Sequence, residues 1–341
     1  MNGETNVRFL GPVAAALAAC AVLGNALAQN APARGIEELR DGLYRAQNNQ
    51  HYTVFLVTSE GIIVSDPIST EFAQWLKGEL DRRFDVPVRY VLYSHHHWDH
   101  ASGGAVFENT AEFVGHETMA QALRLPDAST PLPANAASAD ANRNGRIERG
   151  EAQGALQQQF ALYDANGDGA LSGAEVTRGP VSDVRPAEEF FADRRTVTLG
   201  GESVEMIHVG PTHSPDMTVL RFPNQRAVFL VDFISLKRLP FRNLPGLELD
   251  QLLGTIRDVE ALEFDMAVGG HGAVGTKADV AEHRQYYLDL RAAVADAIAR
   301  GQSLAEMQRS ITLDRYRDWA NYADWRTENI AGMHAILTAA N

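Results

Sequence analysis

The stretch Val88–Ser94 has the apolar alternation of a strand and runs without a break into His95-His96-His97-Trp98-Asp99-His100. Side chains alternate across an extended chain, so His95 and His97 face one side and His96 the other. As the chain then turns toward a helix, Asp99 and His100 come round to a neighbouring position. Imidazole and carboxylate are both zinc ligands, so such a turn can hold one metal through His95 and His97 and present Asp99 and His100 to a second position beside it. Six residues alone do not separate this from a solvated polar turn. Three further positions do: His213 follows an apolar strand, Asp232 ends the apolar run Ala227–Asp232, and His271 sits in Val268-Gly-Gly-His-Gly272. Each is a metal-capable side chain at a strand end, where loops along one sheet edge converge.

The rest of the chain reads as α/β. The runs 51–59 and 61–67 form a hairpin from about Gly42 onward, and residues 70–84 a helix with Phe72, Trp75, Leu76 and Leu80 on one face. Short helical and strand segments continue through 103–107 and 111–116. After a lapse, residues 195–210 form a hairpin turning at Gly200-Gly201, 226–233 a strand, 247–262 a helix and 266–272 a strand ending in a glycine loop. The chain divides into residues 1–28, 36–125 with 187–276, an insertion at 126–186, and C-terminal helices over 277–341. In that tail Tyr316, Trp319, Tyr322 and Trp325 recur every three residues, which predicts an aromatic helix face docked on the body.

The order His95-x-His97-x-Asp99-His100, then His213, Asp232 and His271 with its flanking glycines, resembles the metallo-β-lactamase superfamily. The resemblance covers roughly Gly42 to Gly275 without the insertion. It implies a four-layer αββα sandwich with a metal pair at one sheet edge. Carried onto this chain, His95, His97 and His213 hold the first zinc and Asp99, His100 and His271 the second, with Asp232 bridging the two or binding the second alone. Two such metals, roughly 3.5 to 4 Å apart, share a hydroxide that is nucleophilic at neutral pH, and Asp99 orients it. Asp66, at a strand end before Pro67, is a candidate to hold a ligand imidazole in place. His51, His96, His116, His208, His283 and His334 read as structural or surface residues.

The insertion carries a second motif. Residues 140–151 and 164–175 both fit the twelve-residue EF-hand loop, with Asp140, Asn142, Asn144 and Glu151 in the first and Asp164, Asn166, Asp168 and Glu175 in the second. The main-chain carbonyls of Arg146 and Ala170 complete the shells, and Ile147 and Leu171 pair the loops. Two calcium ions are expected. Twelve residues, 152–163, separate the loops, so one helix is expected to leave the first and enter the second. That compression, and three carboxylates per loop, point to structural calcium of modest affinity rather than a switch.

A net charge of -14 excludes nucleic acid as a natural partner and favours small molecules. The loop 235–246 is expected to rim the site, and its Lys237, Arg238 and Arg242 favour an anionic substrate. Residues 1–28 read as an export leader cut after Ala28, which places the mature chain in the periplasm or outside the cell. A lipoprotein anchor on Cys20 is the second reading, because the sequence after it stays apolar. Cys20 is the chain's one cysteine, so the mature protein has only nitrogen and oxygen ligands. No later segment is long and apolar enough to span a membrane. A metal-dependent hydrolase is the expected function. The alternatives are a β-lactamase, against which Ser235 stands where relatives with Cys at position 232 carry lysine, and a mononuclear iron dioxygenase acting on a sulfur substrate.

Overall fold

The central strands of both sheets are apolar on both faces, and the packing gives the reason: one face meets helices and the other meets a second sheet. The computed structural model describes residues 32–339. The expected leader, its cleavage after Ala28 and Cys20 lie outside those residues. The first sheet begins with β1 (Arg34–Arg40), β2 (Leu43–Asn48), β3 (His51–Val57) and β4 (Ile62–Ser65), all antiparallel neighbours. Helix α1 (Thr70–Arg83) leads to β5 (Val88–Leu92), parallel to β4. The short helix α2 (Trp98–Ala101) precedes β6 (Glu112–His116), and α3 (Glu117–Ala122) follows it.

The first hairpin, β1 and β2, is not apparent from the sequence, because Glu37 and Glu38 interrupt any alternation. What defines it is the turn. Asp41 and Gly42 both take positive φ, 44° and 78°, as a two-residue hairpin turn requires. A Cβ on Gly42 would stand 2.9 Å from the Val57 carbonyl oxygen.

The insertion then contributes β7 (Arg146–Glu148), α4 (Gly154–Gln158), α5 (Phe160–Tyr163), β8 (Ala170–Ser172) and α6 (Gly173–Arg178). Strands β7 and β8 pair antiparallel with Ile147 opposite Leu171, and both side chains are buried with Ala136, Ala152 and Phe160. The expected single helix between the loops is two short ones. Gln159 leaves helical geometry at φ -110° and ψ 16°, and Phe160 beyond it turns into the cluster. The chain returns through β9 (Glu189–Phe191), parallel to β6 at the edge of the first sheet.

The second sheet runs in order β10 (Arg194–Leu199), β11 (Glu202–His208), β12 (Thr218–Phe222), β13 (Ala227–Leu230), β14 (Met266–Gly269) and β15 (Val274–Thr276). Only β13 and β14 are parallel, joined by α7 (Leu249–Ala261). Leu43, Val54, Leu56, Ile63 and Leu92 of one sheet meet Val204, Met206, Leu220 and Phe229 of the other. On the far face of the first sheet, Phe55, Val64 and Val91 meet Phe72, Leu76 and Leu80 of α1. On the far face of the second, Val219 and Leu230 meet α7 and two C-terminal helices, α8 (Lys277–Ala299) and α10 (Tyr322–Ala339), with α9 (Leu304–Ser310) between them. This is the four-layer αββα arrangement with a helical tail. Among the described residues no helix is long and apolar enough to cross a membrane.

The aromatic row of the tail departs from expectation. Tyr316 closes a single 3-10 turn, Trp319 lies in the turn after it, and only Tyr322 and Trp325 are on α10. Leu313 and Asn321, at φ 50° and 62°, break the helix on either side of the pair. Tyr316 and Trp319 still pack on the body, with ring centroids 4.9 Å and 5.7 Å from Tyr286.

His283 of α8 is buried against Tyr287 and Trp319, and burial pushes its imidazole down to about 4, opposed by a main-chain hydrogen bond at Ser235. An unfolded histidine titrates near 6.5, so the stability this group contributes is complete above that pH and is lost as the pH falls toward 4. Between pH 7 and pH 4.5, the stability gap between the parent protein and His283→Gln should narrow by about 2 to 3 kcal/mol. Urea unfolding of both proteins, stripped of metal by a chelator, measures it; an unchanged gap would refute it.

Candidate metal centre

Strand ends build this site. His95 and His97 follow β5, His213 follows β11, Asp232 follows β13 and His271 follows β14. His97 caps α2, whose first turn carries Asp99 and whose last carries His100. Main-chain hydrogen bonds stitch the two sheets together at this end, from Thr218 N to Ser94 O at 2.8 Å and from Tyr52 N to Gly270 O at 2.8 Å.

At the centre is the Asp232 carboxylate. Its Oδ2 lies 3.1 Å from His213 Nε2 and 3.3 Å from His95 Nε2. Its Oδ1 lies 3.1 Å from His271 Nε2 and 3.3 Å from His100 Nε2. His97 Nδ1 stands 2.9 Å from His213 Nε2. One oxygen therefore faces the His95, His97 and His213 set, and the other faces His100 and His271. Donor atoms of His95, His97, His213 and Asp232 all lie within 4.8 Å of one another, as do those of His100, Asp232 and His271.

Asp99 belongs to the same cluster, with Oδ2 3.7 Å from His100 Nε2. Its nearer neighbour is one the sequence did not indicate: His51 Nε2, at 3.4 Å. His51, Asp99 and His271 form a third group of donors within 4.8 Å, and the His51 ring lies edge-on to His271 at 4.6 Å. His51 opens a strand instead of closing one. Because β3 runs antiparallel to β4, its first residue lies at the same sheet edge as the last residues of β4, and this is the clue the sequence offered. The other five non-ligand histidines stay out of the metal groups. His96 turns away onto Asp216 at 2.8 Å, and His116 stacks on His208 at 3.7 Å.

Buried polar groups hold the ligands. Asp66 accepts from Ser94 N at 2.8 Å and from Ser94 Oγ at 2.6 Å. With its proton so committed, Ser94 Oγ accepts from His95 Nδ1 at 3.0 Å, which leaves the Nε2 lone pair aimed inward. His271 Nδ1 donates to the Gln50 carbonyl at 2.9 Å, with the same effect on its Nε2. His96, though not a ligand, anchors the motif: Asp216, itself bonded by Ser214, holds it.

The electrostatics fit a cation site. Burial would raise the Asp232 carboxyl, but His100, His213 and His271 outweigh it and hold the group well below the usual carboxylate range. Burial, followed by neighbouring His95, His213 and His96, pushes the His97 imidazole down to about 2, so it stands neutral with a lone pair to give. His95 Nε2 is buried with no hydrogen-bond partner among the described residues. An orphaned imidazole nitrogen facing a carboxylate is satisfied by a metal between them, and all the donors are nitrogen or oxygen.

A cavity of about 500 Å³ opens over this centre. His51, His97, Asp99, His213 and Asp232 form its floor, and Phe233, Pro240, Phe241, Leu244, Leu247 and Tyr287 much of its wall. Of the three basic residues expected at the rim, only Arg238 lines it. Lys237 is bound instead by Asp279, at 2.9 Å, and by Glu282.

In the insertion, Asp140 Oδ2 accepts from Gly145 N at 2.8 Å and Asp164 Oδ2 from Gly169 N at 3.1 Å. Glu151 and Glu175 each reach back across their loop, to Asn142 N and Ala165 N. Asn144 and Asn166 bond within their own loops. Two ligands expected of the second loop are bonded instead by Arg146 of the first, whose Nη2 donates to both Asp168 carboxylate oxygens, at 2.7 and 2.6 Å, and to Ala170 O at 2.8 Å.

A family profile described as the metallo-beta-lactamase superfamily matches residues 49–271. Among curated proteins, the alpha subunit of 2,4-dinitroanisole O-demethylase from Nocardioides sp. (strain JS1661) is 22% identical over 248 residues, 70% of this chain and 56% of that one. The chain thus spans little more than half the length of that relative. Among solved structures, a metallo-beta-lactamase from Pontibacter korlensis superposes with a TM-score of 0.51 at 15% identity, covering 75% of this chain and 99% of that one. The sec-alkylsulfatase Pisa1 from Pseudomonas sp. superposes with a TM-score of 0.59, also at 15% identity, covering 89% of this chain and 50% of that one. At such identities the likeness is one of fold.

Proposed function

The chain belongs to the metallo-beta-lactamase superfamily, and on that premise we propose that it is a hydrolase with a binuclear centre, expected to hold zinc, that cleaves an ester, amide, lactam or similar bond of a small molecule. The observation that carries the reading is the Asp232 carboxylate, with one oxygen on each of two histidine sets. His95, His97 and His213 would hold one metal and Asp99, His100 and His271 the other, with Asp232 between. When bound, such a pair supplies a hydroxide nucleophile at neutral pH and polarises the bond under attack.

The chain's own groups do the rest. Asp99 lines the cavity as an anion, since His51 and His100 lower its pKa below the usual carboxylate range against the effect of burial. From there Asp99 Oδ2 accepts a hydrogen bond from the attacking water and fixes its approach. His51 Nε2, 3.4 Å from Asp99 Oδ2, holds that carboxylate in position. The apolar wall excludes competing water.

Metal analysis tests the proposal directly. The purified protein should carry about two zinc ions per chain; one iron and no zinc would overturn the reading, since a mononuclear iron dioxygenase has no use for the second ligand set. Hydrolysis is then screened with nitrocefin, esters, lactones, phosphoesters and sulfate esters.

We read loops 140–151 and 164–175 as calcium sites that order the insertion, in a protein exported on the leader in residues 1–28. The paired β7 and β8 strands and the glutamates closing each loop support this. Calorimetry should register about two calcium ions per chain, and Glu151→Gln with Glu175→Gln should abolish the heat. No calcium heat from the unsubstituted protein would refute the assignment.

A further inference from the structure

Arg238 is the only lysine or arginine among the residues that line the cavity. Its neighbours in sequence are spoken for: Lys237 by Asp279 and Glu282, and Arg242, more loosely, by Glu328 at 4.0 Å. For Arg238 no carboxylate lies within ion-pairing distance among the described residues. Its guanidinium instead lies 4.8 Å from the ring centre of Trp325 on α10, and Phe241 meets the same ring edge-on at 5.3 Å. A half-buried cation stacked on an aromatic ring with its donor edge unused is a receptor for an anion.

The main chain fixes where that receptor points. Leu239 N donates to Ala320 O at 3.0 Å and Ala320 N to Lys237 O at 2.9 Å, while Leu236 bridges Gly272 on the other side. Gly272 follows the ligand His271, and a Cβ built on it would lie 3.9 Å from the Arg238 Cβ. The following loop is held from α10. Asn329 is fully buried, accepts from Tyr286 Oη at 2.6 Å and donates to the carbonyls of Pro240, at 3.0 Å, and Arg242. Gly332 admits the loop closely, since a Cβ there would stand 2.2 Å from Asn243 O. The cation is therefore preorganised beside the metal centre, at one side of a cavity whose remaining wall is apolar.

Building on the hydrolase reading, we propose that Arg238 anchors an anionic group of the substrate and that the cavity selects a hydrophobic monoanion, a carboxylate or sulfate borne on an alkyl or aryl body. Trp325 is the positioning residue that keeps the guanidinium turned toward the cavity. The apolar body rests against Phe233, Leu244, Leu247 and Tyr287. A neutral molecule of the same shape fills the cavity but leaves the guanidinium unmatched.

Binding, measured without turnover, tests this. Octanesulfonate resists hydrolysis and is a poor metal ligand, and octanol is its neutral counterpart; both are titrated into the metal-loaded protein by calorimetry. The sulfonate should bind at least about 10-fold tighter than the alcohol, and Arg238→Met should weaken the sulfonate roughly 10- to 100-fold while leaving the alcohol unchanged. Arg238→Lys should recover part of the loss, and Trp325→Leu should fall between the parent and Arg238→Met. If Arg238→Met does not fold, the lysine and Trp325 variants carry the test, and unaltered sulfonate affinity in both overturns the proposal. Equal binding of the two ligands by the unsubstituted protein overturns it as well, as does a sulfonate preference that survives Arg238→Met and disappears on chelation. A sulfonate preference that depends on Arg238, in a protein that cleaves none of the screened bonds, would uphold the anion site and sink the hydrolase reading. Hydrolysis of neutral and anionic esters at equal kcat/KM would do the reverse.

Discussion

Asp232→Asn protein is expected to purify with about one metal ion per chain or none, and to hydrolyse its substrate with kcat/KM lowered on the order of 1,000-fold or more. The carboxylate presents an oxygen to each histidine set, at 3.1 to 3.3 Å in all four contacts. An amide keeps the shape but replaces one oxygen with an NH2 that cannot ligate, and removes the charge that offsets the cations. The substitution leaves the backbone undisturbed. Asp232 sits at φ 62°, a left-handed conformation that asparagine tolerates as well as aspartate does. The metal-free variant should melt below the metal-free parent, because the carboxylate's contacts with His100, His213 and His271 are lost as well, so elemental analysis is made on protein shown to be folded by circular dichroism. Full metal content in the variant would exclude Asp232 as the shared ligand.

Gly103→Ala should produce a large loss of stability. Gly103 follows α2 at φ 86°, and a Cβ there would stand 2.4 to 2.6 Å from main-chain atoms of Ser69 and Thr70. Neither neighbour can retreat. Ser69 caps α1 through its hydroxyl, and the Gly103 N–H is bonded to Asp183 O at 3.1 Å. Relief must come from moving α2, which carries Asp99 and His100. We expect a loss on the order of 4 kcal/mol, visible as a fall in Tm of about 10 °C, together with reduced metal content. Scanning calorimetry of the chelated and the metal-loaded protein separates the two effects, and a Tm within about 2 °C of the parent's would contradict the clash.

What the sequence disclosed and what it withheld follow from how each feature is encoded. Asp232 ends an apolar run and His213 and His271 follow one closely, so local pattern alone places them at a sheet edge. His51 has the same address, but its strand begins there, and only the pairing of β3 with β4 reveals it. The hairpin of β1 and β2 was hidden by its charged edge strand. The cavity wall was hidden for another reason: it depends on α10 reaching residues 238–244 from more than eighty positions away, through Trp325, Asn329 and Gly332. Such packing leaves no periodic trace. The aromatic row misled for the converse reason, since a regular spacing persisted across two helix breaks at Leu313 and Asn321.

The parallel pairing of β6 with β9 sets how freely the insertion can be engineered. Two parallel neighbours cannot be joined by a tight turn, and the chain needs roughly a dozen residues or more to travel back along the sheet. Residues 117–188 make that return journey. Cutting them out and joining His116 to Glu189 would force β9 to reverse direction and lose its register against Val114 and Gly115. The loops are thus replaceable but their path is not: any shorter connection must still run back along the sheet and keep Val181, Val184 and Ala187 in the core beside α1.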